Sequence, residues 1–176
     1  MNVSYGVDEA GKPVLHEPAH VAFGLAIDVP GSDGQRRLLV PSIKQADLMD
    51  LSGFVEAYEA LVAKARENKL DLDDFRGTTV TLTNPGMIGT LHSVPRLMPG
   101  QGLIVGVGAM DYPAAFAGAS PDTLARQAIG KVVTLTSTYD HRVIQGAASG
   151  EFLRLVERKL LGLDGFWNRA FESLRI

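Results

Sequence analysis

His141 is the side chain whose type and position most suit it to catalysis. It stands in the stretch 134–150, TLTSTYDHRVIQGAASG, just after a run at 131–138 rich in β-branched residues and bounded by Gly130. That run predicts a strand, and the pattern after Gly146 predicts a helix. An imidazole held where a strand meets a turn reaches a ligand while its backbone stays fixed. Histidine titrates near working pH, so the position suits a general base. A lone histidine at a strand end is nonetheless more often structural than catalytic, and the chemistry alone leaves the role open. A second candidate is Thr83, which closes a predicted strand at 78–83 ahead of the loop Asn84-Pro85-Gly86-Met87-Ile88-Gly89. Asn-Pro and two glycines make a turn where backbone amides and a threonine hydroxyl approach a ligand closely, although a plain strand-ending turn has the same composition. His92, in the following loop, stands where it could line a pocket and is assigned no chemistry.

The elements that must position these residues follow from periodicity. Two short strands at 3–7 and 14–16 flank a turn at 8–12. Residues 21–29 alternate as one strand, 30–35 form a turn cluster, and 38–42 resume a strand, so the pair reads as a hairpin with buried apolar inner positions. Residues 50–68 give the clearest helix: Leu51, Phe54, Val55, Tyr58, Leu61, Val62 and Ala65 recur at three- and four-residue steps, with Asp50 or Ser52 as cap. This stripe reads as core. A glycine-punctuated strand is predicted at 101–110, its glycines serving close backbone packing. Ser120 and Pro121 open a short helix. Another helix runs over 147–161 on the stripe Phe152, Leu155, Val156 and Leu160, and a last short one over 165–174.

Composition narrows the function. A chain of 176 residues, 45% hydrophobic, suits one domain over 1–176 with a real core. Seventeen basic against twenty acidic residues leave a net charge of −3, which predicts neither nucleic-acid binding nor a polybasic membrane patch. With no cysteine there is no thiolate nucleophile and no Cys-based metal site. The first residues lack the basic and apolar parts of a signal peptide, and no apolar run approaches the roughly 20 residues that span a bilayer. The expectation is a soluble, cytoplasmic domain. Neither a dinucleotide fingerprint nor a nucleotide-hydrolase phosphate loop is present.

Two spaced motifs carry a family resemblance. Asp140-His141-Arg142-Val143-Ile144-Gln145-Gly146 resembles the D-H-R-x-x-[DN]-G signature of the acyltransferase component of 2-oxo acid dehydrogenase complexes. Thr81-Leu82-Thr83-Asn84-Pro85-Gly86-Met87-Ile88-Gly89 resembles that family's T-[ST]-N-x-G-x-x-G segment. The likeness continues through Pro95, the 102–110 strand and the helix after Gly146. With Asp164-Gly165-Phe166-Trp167 included, the chain resembles the acyltransferase-like domain of actinobacterial multifunctional 2-oxoglutarate dehydrogenase/decarboxylase proteins.

The resemblance implies an α/β, chloramphenicol acetyltransferase-like fold with a mixed sheet and packed helices, N-terminally shortened because the family's first helix and strands have no counterpart here. It implies a homotrimer with active sites between subunits. The reaction implied is transfer of an acyl group, succinyl by analogy, between coenzyme A and a dihydrolipoyl group supplied by a lipoyl-bearing acyltransferase partner. Thiamine diphosphate and magnesium belong to a fused or partner 2-oxoglutarate decarboxylase. His141 matches the family's base and Thr83 its oxyanion-stabilising hydroxyl. Gln145 departs from the family's Asp or Asn, keeping amide donors and acceptors on a longer arm. Asp140 and Arg142 either fix the loop or are solvated surface. The shortened front and Gln145 also fit a trimerising assembly module for the decarboxylase with little transfer activity. A coenzyme A-binding or regulatory module is a third reading.

Overall fold

The computed structural model describes residues 1–31 and 34–174. Strands β1 (Ser4–Val7) and β2 (Pro13–His16) form an antiparallel hairpin. The sequence then lays down β3 (Phe23–Leu25), β4 (Ile27–Pro30), β5 (Arg36–Leu39) and β6 (Ser42–Ile43). The expected single strand at 21–29 is therefore two. β3 joins the main sheet, whereas β4 leaves it to pair with β5 as a separate antiparallel ribbon. The expected strand at 38–42 divides too, at Val40 and the fully buried Pro41. Proline has no N–H for the ladder, and here its carbonyl accepts from Leu25 N at 2.9 Å instead. The ribbon's apolar positions are not buried as expected, for Leu38 is exposed and Ile27, Val29 and Leu39 only half-buried. Ser32 and Asp33 of the predicted turn lie outside the described residues.

Helix α1 (Leu51–Arg66) starts where predicted, with the Asp50 side chain accepting from Gly53 N. A short α2 (Leu72–Phe75) carries a capping box between Asp71 and Asp74. Strands β7 (Val80–Thr83) and β8 (Leu103–Val107), helix α3 (Pro121–Arg126), strand β9 (Leu135–Tyr139), and helices α4 (Gly146–Leu160) and α5 (Phe166–Glu172) complete the chain. Ser120 caps α3 with Pro121 at its first position, as expected.

The main sheet has the order β6-β3-β7-β8-β9. β3, β7 and β8 are parallel to their neighbours within that set, and β6 and β9 run antiparallel at the two edges. Successive side chains of a strand point to opposite faces. One face carries Val80, Leu103, Val105 and Tyr139, which pack with Ile144, Val143 and Phe152 under α4. The hydroxyls of Ser137 and Ser149 pin α4 to β9 at 2.6 Å. Farther along, Leu25 and Ile43 pack with Leu61, Phe54 and Ala57 of α1, where Phe23 and Phe54 meet edge to face at 5.8 Å. Burying a side chain such as Leu61 contributes roughly 1.5–3 kcal/mol. The predicted stripes are wider than the faces actually covered: Val55 and Tyr58 of α1, and Leu155 and Leu160 of α4, are exposed. On the opposite face, Thr81 donates to Gln101 Oε1 and Thr136 to Ser93 O, both at 2.9 Å, so the 93–101 connection runs there.

Strand β9 starts later than the sequence pattern suggests. Its ladder with β8 ends at Leu135 opposite Val107; beyond it Gly108 N still donates to Thr134 O and Asp111 and Val132 form an isolated bridge, but Ala109 N turns to Thr90 O. The loop after β7 thus bonds to the chain just past β8, between two contacts that the segment before β9 keeps. Close backbone approach makes this possible, as the glycine reading predicts: a Cβ on Gly108 would lie 2.1 Å from Leu91 O. We expect Gly108→Ala to lower stability by about 1–3 kcal/mol, because the obstacle is backbone rather than a side chain that can rotate away. A shift of the urea midpoint at unchanged slope is the check.

Candidate active site

Thr83 is the last residue of β7, half-buried, and among the described residues its hydroxyl makes no hydrogen bond. Asn84 leads into a 3₁₀ turn over Pro85–Ile88, closed by Gly89 at φ 87° with its N–H on Gly86 O. Gly86 does not leave room for a ligand here. Its missing Cβ accommodates the Gly108 carbonyl, which would stand 2.3 Å from such an atom. The turn is thus stitched to the end of β8, and Thr83 is held in place beneath it. Around this end of the sheet lie Met87 (84% exposed), Ile88 (74%), Leu91 (61%), Val94 (73%) and Met110 (66%).

His141 follows β9 by two residues and is exposed, with no hydrogen bond or ion pair on either ring nitrogen among the described residues. The turn that presents it is rigid. Asp140 N donates to Gly102 O, and the Asp140 carbonyl accepts from Val143 N and Ile144 N. The Asp140 carboxylate accepts from Arg142 N at 3.0 Å, from Nε at 2.9 Å and from Nη2 at 2.6 Å. Arg142 in turn lies over the Tyr5 ring, 3.7 Å from its centroid, tying the β1–β2 hairpin to the turn. Asp140 and Arg142 are therefore loop-fixing residues rather than mere solvated surface. Gln145 occupies the N-cap of α4, exposed, and its side chain makes no capping bond. Four residues beyond His141, its amide makes no hydrogen bond among the described residues. His92 is exposed, between Leu91 and Ser93 in the segment that runs along the Thr83 end of the sheet. Tyr5 and Tyr139 were not singled out from sequence, although Tyr139 stands two residues before His141, and such a separation on a strand points both side chains the same way.

The guanidinium of Arg142 holds the Asp140 carboxyl below the usual carboxylate range, against a smaller opposing effect of burial. A lowered folded-state pKa adds stability above the unfolded value, about 3.9, and that stability is lost as pH falls through the folded value. Asp140→Asn is accordingly expected to lower the thermal midpoint at neutral pH, with the difference from wild type shrinking as pH falls below about 4 and gone only once the folded-state carboxyl is itself protonated.

Register decides how the two groups relate. Thr83 is level with Gly106 and hence with Thr136, whereas Tyr139 is level with Leu103 and Val80 at the other end. Three residues along β9 and two ladder spacings across it separate Thr83 from Tyr139 by roughly 14 Å, and His141 lies farther on. One copy of the chain does not unite Thr83 with His141. Among the described residues no cluster of three or more histidines and carboxylates is placed to hold a metal ion, and no helix is long and apolar enough to cross a membrane.

The family model for the 2-oxoacid dehydrogenases acyltransferase (catalytic domain) matches residues 1–164. The chain belongs to this acyltransferase family. It is 58% identical over all 176 residues to a 2-oxoglutarate dehydrogenase E1/E2 component of Corynebacterium glutamicum, of which it spans 14%. Among solved structures, a dihydrolipoamide acetyltransferase of Azotobacter vinelandii superposes with a TM-score of 0.68 at 28% identity, covering 88% of this chain and 59% of that one. The cubic core of a pyruvate dehydrogenase multienzyme complex superposes with a TM-score of 0.66 at 30% identity, covering 87% of this chain and 58% of that one. The fold expected from the motifs, a mixed sheet with packed helices like that of acyltransferase cores, is the fold found.

Proposed function

We propose that this chain is an acyltransferase domain over 1–176 that moves an acyl group between the thiol of coenzyme A and a dihydrolipoyl thiol. The observation that carries the reading is the placement of Thr83 and His141, each with its polar atoms uncommitted, at opposite ends of one sheet. That arrangement suits a site completed by a second copy, one contributing its Thr83 end and its neighbour the His141 turn. The exposed apolar surface of Met87, Ile88, Leu91, Val94 and Met110 beside Thr83 suits burial against that neighbour. A homotrimer of the kind the family resemblance implies provides such pairs. The A. vinelandii relative, in whose mechanism a serine, a histidine and an asparagine have roles, spaces the last two four residues apart, as His141 and Gln145 are.

A thiol of pKa about 8.5 is mostly protonated and weakly nucleophilic at neutral pH. His141 takes the S–H proton as the sulfur attacks the thioester carbonyl, forming a new C–S bond and an oxyanion. The Thr83 hydroxyl donates to that oxygen. Collapse breaks the original C–S bond, and the departing thiolate takes the proton back from His141. The free amide of Gln145 at the head of α4 orients a polar group beside the imidazole. The 2-oxoglutarate context of the C. glutamicum relative favours succinyl as the acyl group and a lipoyl-bearing acyltransferase protein as partner. Thiamine diphosphate and magnesium serve a 2-oxoglutarate decarboxylase component, fused or separate, and not this domain. Coenzyme A-dependent transfer to dihydrolipoamide, compared across succinyl, acetyl and branched acyl donors, tests the reading. Fastest turnover with succinyl supports it. Silence with every donor from an intact oligomer assigns the domain to assembly instead.

A further inference from the structure

We infer that Tyr139 is the positioning residue for His141, an inference that rests on the acyl-transfer reading above. A general base must hold its ring within a narrow range of angles to meet the thiol proton, and imidazoles are ordinarily aimed by a hydrogen bond on the second nitrogen. His141 has none among the described residues. Its one ring contact among the described residues is with Tyr139, at 5.5 Å between centroids and 47° between planes, within the range of favourable aromatic pairs.

Tyr139 is itself fixed from three directions. Its backbone is paired with Leu103 in β8. Its ring packs against the cluster of Val80, Leu103, Val105 and Ile144. Its hydroxyl reaches the first residue of α4, where a Cβ added to Gly146 would stand 3.3 Å from it. A half-buried ring anchored in the core thus supplies a fixed wall for an exposed ring. Gly146 leaves the space into which the tyrosine's end fits. The contact acts through His141, and Tyr139 itself touches no reacting atom.

The test uses the assembled, full-length protein and the transfer assay, with His141→Ala as control. Tyr139→Leu removes the ring and keeps an apolar core side chain; we expect kcat to fall about 10–100-fold with the KM for both thiols little changed, the signature of a misaimed group. Tyr139→Phe keeps the ring and restores most of kcat. The His141 ring-proton NMR signals, shifted by the adjacent tyrosine, move in the leucine variant and not in the phenylalanine one. If Tyr139→Leu does not fold, Gly146→Ala takes its place: the new methyl pushes on the hydroxyl and lowers kcat, and adding Tyr139→Phe relieves it. Full kcat in Tyr139→Leu, or in Gly146→Ala where the leucine variant does not fold, overturns the inference. So does a loss that the phenylalanine variant or the double variant fails to recover. An inactive His141→Ala beside a fully active Tyr139→Leu leaves the acyl-transfer reading standing; an active His141→Ala removes the base role of His141 and this inference with it, and wild-type protein silent with every donor removes the acyl-transfer reading.

Discussion

His141→Ala is expected to lower kcat for coenzyme A-dependent acyl transfer by about 10²–10⁴-fold, the range typical of losing a positioned general base. The KM for each thiol should change little, because the proton is moved in the transition state and not in the bound ground state. The fold should be unaffected: the ring is exposed and makes no hydrogen bond among the described residues, so unfolding curves of variant and wild type are expected to coincide. Steady-state kinetics over both substrates is the measurement. A variant retaining more than about a tenth of wild-type kcat would falsify the assignment of His141 as base.

The second expectation concerns Thr83 and is more demanding. Thr83→Val keeps the branched shape and removes the hydroxyl, and kcat should drop about 10²–10³-fold, as for other single oxyanion donors. If the site unites Thr83 of one copy with His141 of the next, the two defects lie on different chains and complement each other. Equal amounts of Thr83→Val and His141→Ala protein, unfolded together and reassembled, leave about one interface in four with both groups intact. Activity should therefore rise well above that of either variant alone, toward a quarter of the wild-type value. The double variant Thr83→Val/His141→Ala, mixed with itself, should regain nothing. A site contained within one copy predicts no recovery from the mixture.

Much of this was legible along the chain. Local signals mark the caps that open α1 and α3, Asp50 and Ser120, because a carboxylate or hydroxyl at that position satisfies the helix's own free N–H groups. The motif residues Thr83, His141 and Gln145 were likewise readable as a strand end, a turn and a helix start. Less legible were the breaks at Ala26 and Pro41. Alternation alone does not reveal that one strand's two halves pair with different partners. Helix periodicity marks the apolar stripe but not how much of it a neighbour covers, which is why Leu155 and Leu160 stand exposed.

By itself, then, the sequence determined the element types, the family and the residues able to carry a proton or stabilise an oxyanion, since these depend on side-chain chemistry and short-range spacing. Tertiary structure alone decided their relation. The antiparallel register of β9 against β8 carries His141 to the end of the sheet away from Thr83, and the ladder of hydrogen bonds leaves no freedom to bring them together within one copy. It also set Tyr139 against the imidazole and Arg142 over Tyr5, contacts that arise only when distant segments are packed side by side.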